Sequence, residues 1–92
     1  QYGAAIEGGE AALEIRERLS NNHPEQSGYF RDVAIQLKDL GDIYKRAGRQ
    51  TRACQYFQAA VAQFDKLDRR WEMSEFDRNR AYAYAQKSTK DC

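Results

Sequence analysis

The chain has 92 residues, with 15 Lys and Arg against 14 Asp and Glu, and a formal net charge of +1. That balance argues against a dedicated nucleic-acid or membrane-surface module, which carries a strong basic excess. No apolar run approaches the length of a bilayer span and no signal-peptide pattern opens the chain.

The length suits one small domain with a limited core, or a piece of a larger one. Gln1 stands where a start Met would be, so the chain reads as an excised fragment. Two cysteines, Cys54 and Cys92, are too few for a disulfide framework. They read as a free, reduced pair in a cytoplasmic protein. One Pro and six Gly leave long stretches of Ala, Gln, Glu, Arg and Lys, all good helix formers. No segment alternates for long, so the fold class is all-α, with four helices expected at about 3–20, 28–47, 51–68 and 75–88.

The first helix carries Ala5, Ala11, Ala12 and Leu19, and is weakened by Gly8-Gly9, so it is expected to fray. A loop from Asn21 to Gln26 holds Pro24 and His23. This lone histidine has no partner in the sequence and reads as solvated. Helix two should be capped by Ser27. Its apolar positions Val33, Leu37, Leu40, Tyr44 and Ala47 step by four and three along one face. Gly48 follows and suits a left-handed cap. Thr51 is the expected cap of helix three, whose face reads Ala53, Phe57, Ala60, Phe64 and Leu67. About three residues join the two helices, so they must form an antiparallel hairpin. Gly41, Ala53 and Ala60 let the backbones approach, and the aromatic residues fill the gaps beside them. The loop Arg69 to Met73 holds Trp71, for which packing in the seam is favoured over a partner anchor. Ser74, with Asp77 three residues on, resembles a capping box opening helix four.

The flanks repeat this unit. Moved by 48 positions, Ala5, Ala11, Ala12 and Leu19 fall on Ala53, Ala59, Ala60 and Leu67. Moved by 47, Ser27, Tyr29, Arg31 and Ala34 fall on Ser74, Phe76, Arg78 and Ala81. A period of this size means stacked helix pairs. The chain then holds the second helix of one repeat (1–20), a full central repeat (27–68), and the first or capping helix of a third (74–90).

Leu40-Gly41, Tyr44, Gly48, Ala53, Phe57 and Ala60 resemble the signature of the tetratricopeptide repeat, at that family's spacing. "ALEIRERL" and "LKDLGDIY" are similar to the long-helix variety found in bacterial signalling and kinesin-light-chain-like proteins. The flanking units depart from the pattern: Gly9 replaces the aromatic, and Arg80 and Lys87 stand where Val33 and Leu40 are. Terminal repeats of a solenoid are often atypical. The resemblance implies antiparallel hairpins stacked as an α-solenoid. It implies a scaffold or regulatory part that binds a protein or peptide through a concave groove lined by the first helix of each pair.

On that groove the resemblance places Arg31, Ile35, Lys38, Asp42 and Lys45, with Arg78, Tyr82 and Ala85 as their counterparts on helix four. The basic members suggest an acidic peptide segment. A chaperone-type carboxylate clamp would put Lys38 in its Lys place, but Asp42 stands where Asn is needed and would repel a carboxylate. No HExxH, CxxC, P-loop or GxGxxG pattern is present, so no catalysis, cofactor or metal is expected. A nucleic-acid partner is not expected either, because Asp68, Glu72, Glu75 and Asp77 interleave Arg69, Arg70, Arg78 and Arg80. The alternative to a peptide groove is a structural module that self-associates.

Overall fold

The computed structural model describes all 92 residues, Gln1 to Cys92. Every element is helical: α1 is Gly3–Asn22, α2 is Ser27–Arg46 and α3 is Gln50–Trp71. A fourth stretch, α4 (75–89), joins α-helical Glu75–Asp77, a π-helical turn Arg78–Tyr82 and α-helical Ala83–Thr89.

The α2–α3 hairpin is the centre of the molecule. Val33, Leu37, Leu40 and Tyr44 of α2 are buried, as are Ala53, Phe57, Ala60, Phe64 and Leu67 of α3. Each large side chain so buried contributes about 1.5–3 kcal/mol. The backbones come close at Gly41, where a Cβ would lie 2.7 Å from Cδ1 of Phe57. The turn is a Schellman motif. Gly48 takes φ +77°, its N–H donates to the Lys45 carbonyl, and the Arg49 N–H donates to that of Tyr44. Only glycine adopts this φ without strain, which is why the helix ends there.

On one side of the hairpin, α1 packs against α2. Ile6 is buried with Leu40, Tyr44 and Phe57, and Leu13 packs beside Val33 and Leu37. The Gly8-Gly9 pair does not break α1, which runs unbroken to Asn22. Gly9 is instead a point of close approach: a Cβ there would meet Cδ2 of Leu40 at 2.7 Å. Beyond α3, α4 buries Asp77, Ala85 and Ser88.

Several expectations need correction. Cys54 and Cys92 are not free thiols; they form a disulfide, with Cα atoms 5.7 Å apart. Nothing local joins them, since they lie 38 residues apart and meet only because α4 returns to the start of α3. Ser27 and Thr51 do not cap. α2 begins at Ser27 after Gln26, and α3 begins at Gln50 after Arg49, neither with a side-chain cap bond. Ser74 does cap: its Oγ accepts from the Asp77 N–H at 3.1 Å. The return bond of a capping box is missing because the Asp77 carboxylate is taken by Arg31. Trp71 is the last residue of α3 rather than part of a loop. It is half-buried, 5.4 Å from the Phe30 ring, with the Arg70 guanidinium 4.1 Å over its face.

The 48-residue shift has a counterpart in the packing. Ile6 and Tyr44 share one core cluster, and the residues 48 further on are Cys54 and Cys92, the bridged pair. Gly9 closes on Leu40 and Gln36. Their equivalents are Phe57, Ser88 and Tyr84, and there the Phe57 ring meets Tyr84 edge-on at 5.8 Å. A glycine closing on a leucine in the first pair of helices becomes two aromatic rings in contact in the second. The π turn absorbs one extra residue. The register with α2 is therefore 47 at Ser74 and 48 at Ala85, Ser88 and Cys92, which answer to Leu37, Leu40 and Tyr44.

Candidate protein interface

The four-three stepping that carries Arg31, Ile35, Lys38, Asp42 and Lys45 down one side of α2 sets them beside the core stripe. Arg31, Ile35, Lys38 and Asp42 are half-buried and Lys45 is exposed. α4 runs alongside α2 in the same direction, and two polar contacts join them. At one end Arg31 Nε and Nη2 donate to Asp77 Oδ2 and Oδ1, at 2.6 and 2.8 Å. At the other, the Tyr84 hydroxyl donates to Asp42 Oδ1 at 2.5 Å, and Asp42 Oδ2 also pairs with Arg46 at 3.0 Å. Between them Ile35 and Ala81 pack on the core cluster of Ala34, Phe64, Leu67 and Met73.

The electrostatics of this face are largely settled within the chain. The Arg31 fork and the Ser74 hydroxyl hold the Asp77 carboxyl below the usual carboxylate range, against the burial that opposes it. Asp77 in turn raises Arg31 further above its ordinary value. Lys38 lies 2.8 Å from Asp39. Lys45 enters no ion pair. The bond to Asp42, then burial, raises the Tyr84 hydroxyl pKa. Two surface depressions, of about 240 and 300 Å³, border this face at Arg31.

No family model, curated protein or solved structure matches the chain.

Arg78 and Tyr82 do not join the α2 residues. Arg78 reaches Asp68 of α3 at 2.7 Å. The Tyr82 hydroxyl donates to Asp65 of α3 at 2.5 Å, and its ring sits edge-on to Phe64. The 47-residue shift aligned Arg78 with Arg31 by sequence, but Arg78, at the start of the π turn, is drawn to the Asp68 carboxylate of α3. Sequence reasoning missed Asp77 and Tyr84, which do reach the α2 face. In the sequence Asp77 has the spacing of a cap partner for Ser74, and Tyr84 carries no signal beyond being an aromatic in "RNRAYAYAQK". His23 lies in the α1–α2 loop with its ring 5.2 Å from that of Tyr29. No group of three or more His, Cys, Asp or Glu is arranged to hold a metal ion.

Proposed function

We propose that the chain is a protein-interaction module whose working surface is the α2–α4 face, with no catalytic role of its own. The observation that carries this reading is Tyr84. It is a large aromatic left 38% exposed, fixed by its hydroxyl to Asp42 and by its ring against Phe57, and flanked by α2 charges. A rigid tyrosine with few rotamers to lose is the kind of anchor that dominates protein interfaces. An acidic group on that partner would meet Lys45, the one cation of the α2 set without a carboxylate.

The likeness to tetratricopeptide repeats belongs to this proposal. The Gly41–Phe57 approach, the Schellman turn at Gly48 and the matched contacts 48 residues apart support stacked hairpins of a solenoid. α2 and α4 would then be consecutive first helices on its concave side. No helix is long and apolar enough to cross a membrane. Disulfides persist in oxidising compartments, and the Cys54–Cys92 bridge speaks against the cytoplasmic setting expected from free thiols.

The test is capture of partners by the wild-type chain beside Tyr84→Ala and Lys45→Glu variants, followed by chemical-shift mapping with the partner recovered. Loss of capture in both variants, with shifts confined to Ile35, Lys38, Asp42, Lys45 and Tyr84, supports the face. Equal capture by all three, or shifts elsewhere, overturns it.

A further inference from the structure

We infer that the hollow where the start of α2 meets the α3–α4 turn is a second binding site, and that it takes a lysine side chain presented by a protein partner. The hollow has a volume of about 240 Å³. That is too small for a drug-sized molecule and suits a single side chain. A stacked repeat would add helices beyond α1 and beyond α4. This hollow lies instead at the helix ends, among α2, α3 and α4 themselves, and it uses neither Tyr84 nor Lys45.

The residue that points to binding is Glu72, on the wall of the hollow. It is the one non-glycine residue with a positive φ, +68°. Its N–H closes α3 on the Asp68 carbonyl. Glycine performs that backbone task without strain, as Gly48 does at the end of α2 with φ +77°. A glutamate held there strains the backbone. No ion pair within the chain offsets this, and the side chain is exposed. Strain of this kind collects where a side chain is kept for what it binds. The charges select the occupant. Three charged side chains line the hollow, Arg31, Glu72 and Asp77. Arg31 and Asp77 satisfy each other at 2.6 and 2.8 Å, which leaves the Glu72 carboxylate as the one charge without a partner. The last carbonyls of α3, those of Arg69, Arg70 and Trp71, take none of the turn and cap hydrogen bonds, and they carry the negative end of that helix dipole. The first turn of α2 brings the positive end of its own dipole, so a cationic head is directed to the α3 side. Leu67, Trp71 and Met73 supply the apolar wall, with Trp71 held in place by Phe30 and Arg70. An apolar stem ending in three donors fits this arrangement, and that is lysine.

The probe is a short alanine peptide, blocked at both ends, with lysine at its centre. Two companions carry norleucine, which is lysine without its nitrogen, or glutamate at that place. Each is titrated into the full 92-residue chain and followed by amide and indole chemical shifts. The lysine peptide should bind in the millimolar range, with saturable shifts at Gly28, Trp71, Glu72 and Ser74. It should bind about three- to fivefold more tightly than the norleucine peptide, the size of one exposed ion pair. The glutamate peptide should give no shifts there. Raising salt to about 0.5 M should remove most of the lysine advantage. Glu72→Gln should bring lysine down to the level of norleucine. Glu72→Gly should do the same and raise the melting temperature by a few degrees, because it relieves the strained φ. Gain of stability with loss of binding is the signature of a residue kept for its ligand. No lysine-dependent shift at these groups, or equal binding of lysine and norleucine, overturns the proposal. Lysine binding unchanged by Glu72→Gln, or a lower melting temperature in Glu72→Gly, overturns it too. Tyr84→Ala and Lys45→Glu should leave the titration unchanged, so this site and the α2–α4 face fail or stand separately.

Discussion

Gly41 and Phe57 lie so close that no side chain fits between them: a Cβ on residue 41 would sit 2.7 Å from Cδ1 and 2.8 Å from Cε1 of the ring. Phe57 is 1% exposed and held by Tyr84 behind it, so it has nowhere to retreat. Gly41→Ala should destabilise the fold by about 1–3 kcal/mol through overpacking, although alanine is the better helix former. Gly8→Ala, where space is open, should stabilise by about 0.5–1 kcal/mol. Urea unfolding of the two variants side by side would check the opposite signs.

Reduction of the Cys54–Cys92 bridge should loosen the end of α4. Opening a loop of 38 residues frees unfolded-state entropy equivalent to about 2–4 kcal/mol. The loss should be local at first: amide exchange should quicken across Ala83–Thr89 while the α2–α3 hairpin stays protected. Native-state exchange with and without a dithiol reductant is the measurement. Uniform acceleration would place the bridge inside the global folding unit instead.

Acid should unfold the chain partly through Asp77. Its carboxyl is held below the ordinary range, first by the hydrogen bonds from Arg31. A depressed folded pKa means that the stabilisation is complete above the unfolded value of about 4, and is lost as the pH falls through the folded one. Asp68, lowered chiefly by the Met73 N–H, acts in the same direction. Asp77→Asn should remove about 2–3 kcal/mol at neutral pH, because it leaves a half-exposed Arg31 without its charged partner. It should also flatten the acid limb of a stability–pH curve, leaving the smaller contribution of Asp68.

On the alkaline side three tyrosines set the limit. Tyr84 and Tyr82 are raised first by their bonds to Asp42 and Asp65, and Tyr56 by burial and then by Glu10. The unfolded chain releases these protons at a lower pH than the folded one, so stability should decline above about pH 10. Ultraviolet titration should show a late-ionising group of tyrosines. Tyr84→Phe and Tyr82→Phe should each remove one member from it.

The sequence by itself determined the helices, the hairpin and its core. Helical period and a left-handed glycine are local properties: the stripe Val33 to Tyr44, the stripe Ala53 to Leu67 and the stop at Gly48 are all written within one or two turns. The role of Gly41 was legible too, because only one partner helix lies within reach of a three-residue turn. The caps at Ser27 and Thr51 were misplaced by a residue or so, since either end of a helix can start one position early when tertiary packing holds the first turn. What only the tertiary structure decided depends on residues of different helices, 10 to 46 positions apart. Cys54 finds Cys92 because α4 returns along α3. Asp77 turns from its cap to Arg31 because α2 passes beside it. Arg78, the first residue of the π turn, turns to Asp68 of α3, and Tyr82, its last, is carried to Asp65 by the extra residue of that turn. Two of the candidate interface residues are engaged by α3 in this way, and Tyr84 reaches α2 at Asp42. A repeat in sequence identifies which helices are equivalent. The direction of each side chain follows from the sum of every turn before it, and one inserted residue changes that sum.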